Sequence, residues 1–151
     1  MDRGHDHWMA EAIRLAEEAA ERGDEPFGAL LVVDGVSVLE ARNAIHTSGD
    51  LTQHAELRLI SKASRELPAD VVAAATLYTS TEPCAMCCGA VYWAGIRHVV
   101  FGFPADRLEE MVGGSGIHRS SRDILGDATG DVRIDGPVLE DAAGAVHARY
   151  W

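Results

Sequence analysis

The feature that most constrains the fold is a regular alternation of helix-like and strand-like patterns along the chain. Residues 8–22 repeat apolar side chains at helical spacing, with glutamates on much of the remaining surface. Two short apolar stretches then flank Asp34-Gly35, a dipeptide typical of a tight hairpin turn. The sequence therefore predicts a helix over 8–22, strands over 27–33 and 36–41, a helix from His54 to before Pro68, a strand over 76–80, a helix from Pro83 over 83–93 ended by Gly95, a strand over 98–102, a helix over 105–111, a strand over 132–134 and a helix over 139–150.

This order favours one class of fold. Alternating helices and strands after an initial hairpin predict an α/β protein, a three-layer α/β/α sandwich with a mixed central sheet of about five strands. At 151 residues the chain is expected to be a single domain over 1–151. The Gly-rich stretch 113–116 is predicted to be a loop.

Composition and charge limit the partners. No stretch approaches the ~18 apolar residues of a membrane span, and residues 1–7 are polar, so we expect a cytoplasmic protein without a membrane partner. The chain has 13 basic and 24 acidic residues, a net charge of −11. Because binding a polyanion normally rests on Lys and Arg, this balance argues against nucleic acid and favours a small-molecule substrate.

All the cysteines are clustered, as Cys84, Cys87 and Cys88. An odd, clustered set in a chain of this kind indicates metal binding or redox chemistry before a disulfide. Cys84 and Cys87 are three residues apart at a predicted helix start, which places both sulfurs on one face of the first turn. The partial positive charge of a helix N-terminus favours their thiolate forms.

A second short motif, His54-Ala55-Glu56, stands at another predicted helix start. Two thiolates and the His54 imidazole would be three protein ligands to a tetrahedral Zn²⁺, leaving the fourth position for water. Glu56, if held nearby without binding the metal, could carry protons to the substrate and the leaving amine. His54 and Glu56 can both serve the metal site only if the N-terminus of their helix points into it.

Less specific interpretations stay open at this point. A lone Cys-x-x-Cys also fits a redox pair or half of a structural zinc site, which would need a fourth ligand from Cys88 or a histidine. Cys88 directly follows Cys87, so it is expected to point elsewhere around the helix as a small core residue. His46, His98 and His118 have no identifiable partner and are expected at the surface or in the core.

The two motifs together match the zinc-deaminase signature His-x-Glu…Pro-Cys-x-x-Cys. Over roughly residues 8–103 the chain resembles the cytidine deaminase superfamily, in the branch of bacterial guanine deaminases, fungal-type cytosine deaminases and tRNA adenosine deaminases. The resemblance is carried by Pro26-Phe27-Gly28-Ala29, Asn43, His54-Ala55-Glu56, Thr81-Glu82-Pro83-Cys84-Ala85-Met86-Cys87, Gly89-Ala90 and Tyr92-Trp93-Ala94.

The resemblance implies a deaminase with one Zn²⁺ per chain and an assembly of at least a homodimer. It implies that the metal ligands are His54, Cys84 and Cys87 and that Glu56 is the proton carrier. It also implies that Asn43 hydrogen-bonds the substrate and that Phe27 packs on its ring. Without it, Phe27 would be a core aromatic and Asn43 a turn residue. Further candidate substrate contacts are Ala55, Trp93 and Trp151, although Trp93 equally fits a packing role.

The same resemblance ranks the substrates. Tyr92-Trp93-Ala94 is similar to guanine deaminases, so guanine or a related aminated heterocycle leads, ahead of tRNA adenosine and cytosine-type pyrimidines. The stretch 113–116 reads Gly-Gly-Ser-Gly, where guanine deaminases commonly carry paired aspartates. A non-catalytic zinc-stabilised module is the remaining alternative. Arg149-Tyr150-Trp151 is expected to dock on the core or cover an active site, its own or a neighbouring subunit's.

Overall fold

A computed structural model describes residues 4–114, 116–117, 119–126 and 131–151. Gly113, Gly114 and Gly116 lie outside helices and strands as predicted, while residue 115 and His118 fall outside the described residues. The elements in chain order are α1 (His5–Glu21), β1 (Gly28–Val33), β2 (Val36–Arg42), α2 (Ile45–Ser48), α3 (Ala55–Glu66), α4 (Ala69–Ala73), β3 (Thr76–Thr81), α5 (Ala85–Ala94), β4 (His98–Phe103), α6 (Ala105–Val112), α7 (Ser121–Leu125), β5 (Arg133–Asp135) and α8 (Glu140–Tyr150).

The strands form one mixed sheet of five, in the order β2-β1-β3-β4-β5. Strand β1 is antiparallel to both β2 and β3, whereas β3, β4 and β5 are parallel to one another. Asp34 and Gly35 both have positive φ, as a two-residue hairpin turn requires. The predicted mixed sheet and its initial hairpin are confirmed.

Helices cover both faces of the sheet and create two cores. Helices α1 and α8 pack on one face, around side chains such as Met9, Tyr78 and Phe103. Helices α3 and α5 pack on the other face, around side chains such as Leu59 and Val99. Burial of each large apolar side chain in these cores stabilises the folded state by roughly 1.5–3 kcal/mol. The α/β/α sandwich is therefore the observed architecture.

Gly28 fixes the distance between α1 and the sheet. A Cβ atom on Gly28 would lie 2.5 Å from the backbone nitrogen of Ala16 and 2.6 Å from the carbonyl oxygen of Ala12. Helix α1 therefore crosses β1 in direct backbone contact, which no larger residue at position 28 would permit. This close approach holds Phe27, the preceding residue, at a defined place beside the end of β3.

The structure differs from the prediction at several short elements. Helices α2, α4 and α7 have four or five residues each, too few to show a helical period in the sequence. Helix α5 begins at Ala85 rather than Pro83, because Cys84 is extended (φ −70°, ψ 174°) and caps the helix. The carbonyl oxygen of Cys84 accepts the backbone N–H of Cys88 at 2.9 Å, the first bond of that helix.

The parallel strands β3 and β4 end at the same edge of the sheet, where Thr81 pairs with Phe103. Open α/β sheets bind their ligands at such carboxyl ends. No helix within the described ranges is both long and apolar enough to cross a membrane.

Candidate active site

Two helix N-termini meet at this edge of the sheet and bring three metal-binding side chains together. His54 caps α3 and Cys84 caps α5. His54 Nδ1 lies 3.6 Å from the sulfur of Cys84 and 3.5 Å from the sulfur of Cys87. All three donor atoms are within 4.8 Å of one another. The three predicted ligands therefore converge.

The charges of this cluster suit a divalent cation. A hydrogen bond from the Cys87 thiol, with a further one from His54, lowers the pKa of Cys84 to about 4. The hydrogen bond between His54 and Cys84 raises the pKa of His54. The hydrogen bond between Cys87 and Cys84, together with burial, raises the pKa of Cys87. The cluster thus holds a thiolate surrounded by protons that a cation can replace. Two sulfurs and one imidazole are the donor set that Zn²⁺ prefers.

Cys88 faces away from the cluster. Its side chain is buried, and its thiol donates to the carbonyl oxygen of Pro83 at 3.4 Å. Burial raises the pKa of Cys88 to about 12, so it stays a neutral thiol. Within the described part of the chain, no fourth histidine, cysteine or carboxylate joins the group of three. Three side chains leave one position of a tetrahedral metal open, the pattern of catalytic zinc sites.

Glu56 is the second residue of α3 and lies beside the cluster without belonging to it. Only 5% of its surface is exposed, and it lines the cavity described below. Burial, reinforced by the negative charge of Cys84, raises the pKa of Glu56 to about 7. A carboxyl with that pKa can both accept and release a proton near neutral pH.

The cluster opens into a cavity of about 700 Å³. His54, Glu56 and Cys84 form part of its lining together with Thr81 from the end of β3. The lining also includes Glu25, Phe27, Phe101 and Pro104. We call the part of the lining that comes from α6, from α7 and from the described residues between them the far wall. Besides Glu56, the charged lining side chains outside the cluster are Glu25, Glu82, Asp106, Arg107, Glu109, Arg119, Arg122 and Glu140. Carboxylates therefore predominate around the opening.

Glu82 anchors the far wall of this cavity. Its buried carboxylate accepts the backbone N–H of Ala105 at 3.0 Å, at the start of α6. The other carboxylate oxygen accepts the backbone N–H of Ser121 at 2.8 Å and its hydroxyl at 2.6 Å. One side chain next to the cysteine motif thus fixes the starts of both α6 and α7.

His147 supports Phe27 from behind, a role that the sequence did not reveal. The rings of Phe27 and His147 meet edge to face with centroids 5.2 Å apart. His147 Nε2 lies 2.6 Å from the hydroxyl of Thr81, and its Nδ1 accepts the indole N–H of Trp151 at 3.0 Å. Because the indole N–H can only donate, His147 carries its proton on Nε2. The one available signal was the i,i+4 spacing of these two C-terminal residues.

The other predicted substrate contacts lie outside the cavity lining. Asn43 is buried, and its side-chain oxygen accepts the backbone N–H groups of Glu25 at 3.2 Å and Ile45 at 3.0 Å. Ala55 is buried at the start of α3. Trp93 is 85% exposed on α5, and Trp151 is half exposed while it contacts α8 through its indole nitrogen.

The predicted surface or core histidines differ in their surroundings. His46 is exposed, with its Nε2 3.9 Å from a carboxylate oxygen of Glu25. His98 is partly buried and contacts Thr76 and Asp135, two partners that could not be named from the sequence. The topology brings both partners to it from neighbouring strands, which sequence spacing does not show.

Comparison with known proteins agrees with this geometry. Residues 2–103 match the family described as the cytidine and deoxycytidylate deaminase zinc-binding region. A "probable cytosine deaminase" of Schizosaccharomyces pombe is 40% identical over 151 residues, covering 95% of this chain and 90% of that protein. A guanine deaminase of Bacillus subtilis is 43% identical over 98 residues, covering 64% of this chain and 63% of that protein.

The fold agrees as well. The solved structure of a guanine deaminase from Nitrosomonas europaea superposes with a TM-score of 0.81 at 25% identity, covering 97% of this chain and 84% of that one. The family match spans more than half of the chain and contains the whole His-x-Glu and Pro-Cys-x-x-Cys constellation. The chain therefore belongs to the cytidine and deoxycytidylate deaminase family and is a hydrolytic deaminase that acts on C–N bonds.

Proposed function

We propose that this protein is a zinc-dependent deaminase of a small aminated heterocycle, with guanine or a related ring as the leading substrate. The observation that carries the proposal is the position of Glu56. It is a buried carboxyl with a pKa near 7, placed beside three converging metal donors and not among them. A structural metal site has no use for such a group.

His54, Cys84 and Cys87 would hold the zinc ion. Zinc supplies Lewis acidity, which makes a water molecule acidic enough to react at neutral pH. Glu56 would accept the proton of that water and deliver protons to a ring nitrogen and to the departing amine. Its burial keeps the carboxyl close to the pH at which both transfers are efficient.

The cavity supports a small, uncharged, flat substrate. Phe27 lines it and is held in place by the edge-to-face contact with His147, so it would pack on the substrate ring. Asn43 stays a proposed contact through its side-chain NH₂, because its oxygen already accepts two backbone N–H groups. Ala55, Trp93 and Trp151 stay proposed contacts on the family resemblance alone, since they too lie outside the cavity lining. Six carboxyl groups, counting that of Glu56, and three arginines line the cavity. The net charge of the chain is −11. Both features oppose a polyanion such as tRNA.

A cytosine-type pyrimidine is the second candidate. The relative named a probable cytosine deaminase aligns with 95% of this chain, and so includes the C-terminal third that shapes the far wall. The alignment with the guanine deaminase of Bacillus subtilis covers only 64%. Adenosine in tRNA is the third candidate.

An ammonia-release assay decides among these candidates. The panel is guanine, cytosine, adenine, their nucleosides, pterins, aminotriazines and tRNA. We expect turnover of a free base or nucleoside, led by guanine, and none of tRNA. Preference for tRNA would overturn the ranking, and preference for cytosine would select the second candidate.

A matched pair of variants tests the role of Glu56. Glu56→Gln should lower kcat by about 10³-fold or more while zinc content is unchanged, whereas the exposed Glu66→Gln on the same helix should keep full activity. A zinc-loaded wild-type protein that releases no ammonia from any compound would instead favour the non-catalytic module.

The remaining proposals concern the setting of the enzyme. We propose that residues 1–151 act as a single domain, in the cytoplasm, and as a homodimer. The exposed indole of Trp93 supports an assembly, since a surface aromatic of that size is often covered by a partner.

A further inference from the structure

A second cluster of metal-binding side chains lies at the opposite end of the sheet from the active site. It consists of His5 at the start of α1, His98 at the start of β4 and Asp135 at the end of β5. The active site stands at the carboxyl ends of β3 and β4, so the length of a strand, roughly 16 Å, separates the two places. The second cluster also lies on the α1 face of the sheet, while α3 and α5 belong to the other face.

The two imidazoles are aimed at one carboxylate oxygen. His98 Nε2 lies 2.8 Å and His5 Nε2 lies 3.5 Å from Oδ2 of Asp135. All three donor atoms are within 4.8 Å of one another. Ligand atoms around a tetrahedral zinc ion, at metal distances of about 2.0 Å, lie roughly 3.3 Å apart, so small side-chain movements would suffice.

The Nδ1 atom of each imidazole ring forms a hydrogen bond with a hydroxyl group. His5 Nδ1 lies 2.8 Å from the hydroxyl of Tyr78, and His98 Nδ1 lies 3.2 Å from the hydroxyl of Thr76. Metal-binding histidines are typically oriented by a hydrogen bond to the nitrogen that does not bind the metal. Without a cation, the Nε2–H of His98 donates to Oδ2 of Asp135. With a cation in place, each ring would carry its proton on Nδ1, directed at its hydroxyl partner, and both Nε2 lone pairs would face the cation.

The cluster is accessible, and Arg133, the cationic side chain that contacts it among the described residues, can leave. The side chains of His5, His98 and Asp135 are 37%, 23% and 31% exposed. Arg133 Nε lies 3.0 Å from Oδ2 of Asp135, but the Arg133 side chain is 69% exposed and can turn into solvent. Exposed ion pairs of this kind contribute little and yield readily.

We propose that His5, His98 and Asp135 form a second divalent-cation site, suited to Zn²⁺ or a similar transition metal. Two imidazoles and one carboxylate are a common donor set for such ions. The bound cation would join the start of α1 to β4 and to the short edge strand β5. This site is additional to the one zinc ion per chain expected at the active site.

Zinc content of the 151-residue protein tests the proposal. After equilibrium dialysis against micromolar ZnCl₂, elemental analysis should give two zinc equivalents per chain for the wild type. His5→Gln and His98→Gln should each give one, while the exposed His46→Gln should still give two. The Cys84→Ser/Cys87→Ser protein should lose the active-site zinc and keep the other.

The competing arginine provides an independent readout. Arg133→Ala should bind the second zinc a few-fold more tightly, because the carboxylate then loses its alternative partner. Zinc should also raise the Tm of the wild type and of Cys84→Ser/Cys87→Ser, but not that of His5→Gln combined with those two changes. One zinc equivalent in the wild type, or a second equivalent that survives both histidine changes, would overturn the proposal. Neither outcome bears on the deaminase assay.

Discussion

His147 Nε2 and the hydroxyl of Thr81 lie 2.6 Å apart, so the last helix is joined to the strand that leads into the cysteine motif. Thr81 and Phe27 both line the cavity, and His147, which does not, packs edge to face against the Phe27 ring. The C-terminal helix therefore shapes the active site without contributing a residue to the cluster of metal donors.

The burial of His147 predicts a pH-dependent contribution to stability. Burial lowers the pKa of His147 to about 4, whereas an unfolded histidine has a pKa near 6.5. Its neutral form thus stabilises the fold fully above about pH 6.5, and this contribution, up to about 3 kcal/mol, is lost as the pH falls toward 4. In urea unfolding, His147→Gln should be less stable than the wild type at pH 7.5, and the difference should shrink toward pH 4. A difference that stays constant over this range would contradict the explanation.

Removal of Tyr150 and Trp151 should impair catalysis. The Trp151 indole fixes the neutral tautomer of His147 whose Nε2–H donates to Thr81, so the truncated chain should position Phe27 less well. We expect kcat/KM to fall by about tenfold, equivalent to about 1.4 kcal/mol. Arg149→Ala is the matched control, since its exposed side chain contacts Glu17 on α1. Unchanged kinetics after truncation would refute this role for the C-terminus.

Glu82→Gln should weaken substrate binding more than chemistry. The variant places an amide NH₂ against the donors of either Ala105 or Ser121, which costs about 1–3 kcal/mol of stability. The wall formed by α6 and α7 would then loosen, so KM should rise while zinc content stays the same. Glu110→Gln, an exposed change on α6, should alter neither quantity. Loss of zinc from Glu82→Gln would show that its effect is not confined to the wall.

The neighbouring cysteines should respond in opposite ways. Cys87→Ala removes a metal donor and should abolish both zinc binding at the active site and turnover. Cys88→Ala removes only a buried thiol that donates to Pro83, so zinc and activity should remain. Elemental analysis and the ammonia assay measure both variants, and loss of zinc from Cys88→Ala would mean that the ion has a fourth protein ligand.

Much of the metal cluster could be predicted because its residues are close in sequence within two motifs at helix starts. The hairpin and the alternation of elements likewise follow from local patterns, and the sheet order agrees with them. His54 and Cys84 each stand at the N-cap of a helix, so the start of that helix sets the direction of the side chain.

Contacts between distant segments could not be predicted in this way. Glu82 meets Ser121 across 39 residues, and Thr81 meets His147 across 66. Single polar residues with no motif around them carry no signal of such pairings. For the same reason, no partner for His98 could be predicted, although strand topology places Asp135 beside it.

The zinc K-edge X-ray absorption spectrum of His5→Gln tests the central claim most directly, because this variant should hold only the active-site ion. We predict two sulfur neighbours at about 2.3 Å and two nitrogen or oxygen neighbours near 2.0–2.1 Å, of which the protein supplies a single imidazole. A third sulfur, a second imidazole, or a protein that binds no zinc would contradict the account.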